Sequence, residues 1–110
     1  MKIILRSENV KLLESTIMEK IKSDLNTWDI KTDINGYRLY YHKTKSQQWE
    51  NDLYVKPSID NINGKLRFVV TEIEGTPLKF DPIFGYLMGR FVEILIVHFS
   101  EYYSKIEIVK

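Results

Sequence analysis

Trp28-Asp29-Ile30-Lys31-Thr32-Asp33-Ile34-Asn35-Gly36-Tyr37-Arg38-Leu39-Tyr40-Tyr41-His42-Lys43 is the stretch that decides the fold. From Trp28 to Ile34 apolar and polar residues alternate with a period of two, the mark of a half-buried strand. Asn35-Gly36 then places side by side two residues that accept positive φ, the strongest short-range hairpin signal. Tyr37–Lys43 is the return strand. One antiparallel pair is thus legible before anything else.

Upstream the period changes. Val10, Leu13, Ile17, Ile21, Leu25 and Trp28 recur at steps of three or four, which is one face of a helix. Lys11, Glu14, Glu19, Lys20 and Lys22 fall on its other faces. The helix is expected over about residues 8–27, with Ser7 as N-cap and Glu8 in the first turn. Ahead of it, Lys2–Arg6 reads as a short strand buried on both faces.

Downstream, Thr44–Asn51 is polar apart from Trp49. Asp52–Lys56 forms another strand, which Pro57 should end or push to a sheet edge. Asn63-Gly64 repeats the hairpin signal ahead of Lys65–Ile73, where Leu66, Phe68 and Val70 share a face. Asp81-Pro82 opens a second helix, with a capping acceptor and a proline at the first helical position. That helix should run to about Ser104, and Lys105–Lys110 alternates again as a last strand.

The order β-α-β-β-β-β-α-β implies an α+β fold, with two helices packed on one face of a mainly antiparallel sheet. A ferredoxin-like arrangement with an added hairpin is the first topology to expect. At 110 residues the chain forms one domain, residues 1–110. Hydrophobic and charged fractions of 44% and 28% are those of a folded protein rather than a disordered one. With no cysteine there is no disulfide framework, thiolate metal site or cysteine nucleophile. A net charge of +1 argues against an unselective nucleic-acid binder. Only three apolar residues follow Lys2, too few for a secretory leader, so a cytoplasmic location is expected.

The second helix carries an apolar arc wider than a surface helix needs. Arg90 and Glu93 near its middle exclude a membrane span. Two readings of the arc stand open: it lies centrally over the sheet beside the first helix, or part of it is an interface. Gly85 and Gly89, one turn apart, mark either close packing against the first helix or a dimer contact. The chain contains no alanine, so a close approach along this helix is confined chiefly to that glycine pair.

No catalytic motif is present. His42 and His98 belong to no metal-binding spacing. His98 reads as a partly buried structural histidine and His42 as an exposed one. Asp29 and Asp33 share a strand face about 13 Å apart, too far for an acid/base pair. No enzyme and no cofactor are expected.

One constellation is aromatic and basic: Arg38, Tyr40 and His42 on a single strand face, followed by Lys43, Lys45, Trp49, Tyr54 and Lys56. Tyr, Trp and Arg are the residue types enriched at interface hot spots. The competing reading is a solvated face with lysines protecting an exposed edge.

The function expected is a small non-catalytic protein-interaction module of the inhibitor, immunity or accessory type, which binds a protein partner or self-associates as a homodimer. The alternative is a small-ligand or single-stranded nucleic-acid binding protein using the same aromatic face. Nucleic acid is the less favoured partner, no small-molecule ligand can be named, and no membrane is involved.

Overall fold

The computed structural model describes residues 1–43 and 53–110. Its elements are β1 (Lys2–Arg6), α1 (Val10–Ser23), β2 (Trp28–Thr32), β3 (Arg38–His42), β4 (Tyr54–Asp60), β5 (Lys65–Thr71), α2 (Phe84–Phe99), a short 3-10 turn at Ser100–Tyr102, and β6 (Lys105–Val109). The six strands form one antiparallel sheet in the order β2-β3-β4-β5-β1-β6. The expected α+β class and element order are what the molecule has. Alternating directions make β1 parallel to β2 and β5 parallel to β6, so each helix joins two parallel strands that are not neighbours.

Both helices contribute to one continuous core on one face of the sheet. From α1 come Val10, Leu13, Ile17 and Ile21, and from α2 Phe84, Leu87, Met88, Phe91, Ile94, Leu95 and Phe99. The strands supply Ile3, Leu5, Trp28, Tyr40, Val55, Leu66, Phe68 and Val70. Burial of each large side chain contributes about 1.5–3 kcal/mol. Phe91 is the centre: its ring lies 4.7 Å from Phe68, 5.3 Å from Trp28 and 6.0 Å from Tyr40.

Local chemistry moves several boundaries inward. Asn9, not Ser7, caps α1, its side chain accepting the Leu12 amide at 3.0 Å. Ser7 instead joins the two ends of the fold, its hydroxyl donating to the Tyr102 carbonyl at 3.0 Å. Asp81 accepts from the Ile83 amide at 3.0 Å, which stabilises a turn ahead of α2, and the helix begins at Phe84.

The expectation for Pro57 needs correction. It lies inside β4, an interior strand, and its ladder with β5 runs unbroken from Tyr54↔Thr71 to Asp60↔Lys65. On the other side, among the described residues, β3 and β4 pair only at Tyr40↔Val55. A proline removes a ladder donor, and the seam stands open just where that donor is missing.

Alternation puts Leu39 and Tyr54 on the face away from the helices, yet both are buried. The sheet is therefore covered on its second face around β3 and β4. Part of that face is a polar knot. One oxygen of Asp33 accepts the Asn35 and Tyr37 amides, both at 2.9 Å. Its other oxygen meets the Lys56 ammonium at 3.5 Å, and that ammonium also donates to the Gly75 carbonyl at 3.4 Å. Gly75, at φ 83°, lies so close that a Cβ there would collide with the Asp33 carboxylate.

Candidate functional site

Among the described residues, the aromatic-basic constellation does not gather on one exposed surface. Tyr40, His42 and Tyr54 are buried, and this corrects their expected role. Arg38, Tyr40 and His42 do share one strand face, but it is the face that carries the helices. Tyr40 stacks on Phe91. Tyr54 points to the opposite face, its ring 5.9 Å from Tyr41. Lys56 is held by Asp33 and Gly75 and covers the Tyr37 ring at 4.5 Å. Lys43 lies exposed beside Asp29 at 3.8 Å. Lys45 and Trp49 lie outside the described residues. Alternation alone could not tell which face of β3 would meet the helices, because both faces carry bulky side chains.

His42 is buried rather than exposed, edge-on to Trp28 at 5.0 Å. Burial pushes its imidazole below the ordinary histidine range; Arg90 pushes the same way and Glu93 opposes. His98 reverses its expectation too and is exposed. Among the described residues no three His, Asp or Glu side chains gather to hold a metal ion. None of their helices is long and apolar enough to cross a membrane.

The open seam between β3 and β4 widens into a cleft of about 680 Å³. Tyr37 and Arg38 line one lip, Lys56, Pro57, Ser58 and Ile59 the other, with Glu14 reaching in from α1. Burial raises the Glu14 carboxyl and Arg38 draws it back. The Tyr40 hydroxyl is pushed up by burial and then by Glu14, with Arg38 again opposing. Cations and carboxylates are balanced here, because Lys56 is already matched by Asp33. Such a cleft suits a neutral or zwitterionic molecule better than a phosphate.

The outward side of α2 is the second feature. Gly85 and Gly89 do not pack against α1: a Cβ built on either meets nothing within 4 Å. That corrects the close-packing reading. The glycines lie on the exposed side of the helix with Tyr86 (58% exposed), Ile96 (53%) and Val97 (68%). Arg90 and Glu93 lie among them, paired at 3.5 Å and each more than half exposed. The buried side already satisfies the core, so the wide apolar arc divides between core and solvent. Sequence periodicity gave the arc's width; its division depends on where the sheet lies.

The chain matches no protein-family model, no curated protein and no solved structure.

Proposed function

We propose that this is a small, non-catalytic, cytoplasmic protein-interaction module that self-associates, and that its contact surface is the outward side of α2 rather than the β2–β3 hairpin. One observation carries the reading. Ile96 and Val97 stand in solvent on a helix whose core side is complete, and two glycines with open space above them lie on the same exposed side of that helix, two to three turns away. A solvated helix face gains nothing from glycine, which costs about 0.5–1 kcal/mol relative to alanine. Exposed apolar side chains beside open backbone are what a partner helix can cover.

Sedimentation velocity from micromolar to several hundred micromolar tests it. The expected result is a concentration-dependent rise above the 13.1 kDa monomer, lost when Ile96 and Val97 are both replaced by glutamate. A monomer at every concentration would remove the reading.

A second reading rests on the β3–β4 cleft, whose volume and balanced charges support a small neutral or zwitterionic ligand. Shifts of the Arg38 and Ile59 amide resonances during a screen of such molecules would support it; no shift with any of them would count against it.

A further inference from the structure

The outward side of α2 carries more than exposed apolar area. Ile83, Tyr86, Arg90, Glu93, Val97 and Ser100 follow one another at alternating steps of three and four. That spacing keeps a seam facing one direction along a helix, the pattern by which one helix packs along another. Ile83 is exposed at the start of this seam, and Ser100 is exposed at its end. Arg90 and Glu93 occupy the middle, with side-chain exposures of 56% and 60%.

The order of these residues is self-complementary. Laid antiparallel on a second copy about a two-fold axis between Arg90 and Glu93, each Arg90 meets the other chain's Glu93. In the same register Tyr86 meets Val97, and Ile83 meets Ser100. A parallel arrangement sets Arg90 against Arg90 and Glu93 against Glu93, which is repulsive. In a two-fold contact, if residue i touches residue j then j touches i; both directions satisfy that condition, and of the two only the antiparallel one sets opposite charges against each other at the centre of this seam. Gly89, about 70° round the helix from the centre of the seam, leaves room on that flank, while Gly85 is turned further away.

We infer that the occupant of this face is a second copy of the chain, its α2 lying antiparallel, with the Arg90 and Glu93 pairs at the centre fixing the register. This inference rests on the reading that the protein self-associates through α2, and it adds the partner, direction and register. Central polar residues of this kind set register and orientation more than affinity. The two intrachain Arg90–Glu93 contacts, one per chain at 3.5 Å, are exchanged for two contacts across the axis, so the count of ion pairs is unchanged.

Charge reversal tests it. Arg90→Glu and Glu93→Arg, each made alone, place like charges opposite each other twice and should weaken association at least tenfold. The double variant Arg90→Glu/Glu93→Arg should associate like the native chain. An equimolar mixture of the two single variants should form a heterodimer, because every central contact is then between opposite charges. Circular dichroism checks that all variants fold, as expected for half-exposed positions.

If the native chain dimerises and the single reversals dimerise equally well, the antiparallel register is wrong while self-association stands. The same holds if the double variant fails to recover or the mixture forms no heterodimer. If the native chain is monomeric throughout, both the reading and the register fall.

Discussion

Replacing both Gly85 and Gly89 by alanine should stabilise the isolated chain, and the size of the gain follows from the structure. Both lie in α2, and a Cβ at either position meets nothing within 4 Å. No steric cost enters, so the change reduces to helix propensity. A glycine in a helix interior is about 0.8–1.0 kcal/mol worse than alanine. Gly89 should approach that figure, while Gly85, in the first turn, should contribute about half of it. The sum is about 1–1.5 kcal/mol. For a domain of this size, roughly 4 °C accompanies each kcal/mol, so the midpoint should rise about 4–6 °C.

Urea unfolding followed by circular dichroism at low protein concentration measures the folded monomer without contribution from association. At high concentration the same variant should associate more weakly, because the methyl group at position 89 occupies the flank of the α2 seam. A double variant less stable than the native chain would mean that another element presses on these glycines, and the outward assignment of this face would be wrong.

Three further outcomes follow from the core and the polar knot. Phe91→Ala removes the ring that touches Phe68, Trp28 and Tyr40, and should cost about 3–5 kcal/mol in urea unfolding; a loss under about 1 kcal/mol would contradict its central place. Gly75→Ala should destabilise by more than about 1–2 kcal/mol, since left-handed backbone strain adds to a collision with Asp33, whereas Gly36→Ala should show the strain alone. Equal losses at the two sites would remove the close contact between Gly75 and Asp33.

His42 should make the stability of the fold depend on pH. Its pKa is lowered from 6.5 in the fold, by burial and Arg90 against Glu93, so the neutral form is the stabilising one. As pH falls below about 6.5, the unfolded chain binds a proton that the folded chain refuses, and stability declines. The carboxyls lowered from 3.8 or 4.5, Asp33, Asp60 and Glu107, lose their contribution only at lower pH. Glu14, raised from 4.5, acts with the opposite sign. The decline between pH 7.5 and 5.5 should therefore be smaller in His42→Asn, and an unchanged decline would refute the assignment to His42.

The element order was legible because each signal is local. Period two before Asn35-Gly36, the three-and-four spacing from Val10 to Ile21, and the run from Lys65 to Val70 each constrain their own backbone. The candidate surface was misread because Tyr40 and Tyr54 look alike in sequence. One packs under α2 beside Phe91, and the other is buried on the opposite face beside Tyr41. Which side of a strand meets a helix is decided by contacts between distant segments, and a strand buried on both faces carries no alternation to reveal it. Pro57 misled for a related reason. Proline disfavours a central strand, but here the neighbouring strand is unpaired past Val55, so an interior strand tolerates it. The glycine pair stands out in a chain without alanine, yet only the position of α2 over the sheet shows that it faces solvent.

Disulfide trapping tests the proposed antiparallel contact of two copies along α2, because the native chain has no cysteine to interfere. In the expected register position 86 of one chain faces position 97 of the other. Positions 97 and 97 of the two chains lie about 16 Å apart along the axis, at 1.5 Å per residue. Under mild oxidation Tyr86→Cys/Val97→Cys should therefore give a covalent dimer, and Val97→Cys alone should not. A covalent dimer from Val97→Cys alone, or none from the double variant at concentrations where the native chain is dimeric, would contradict the claim.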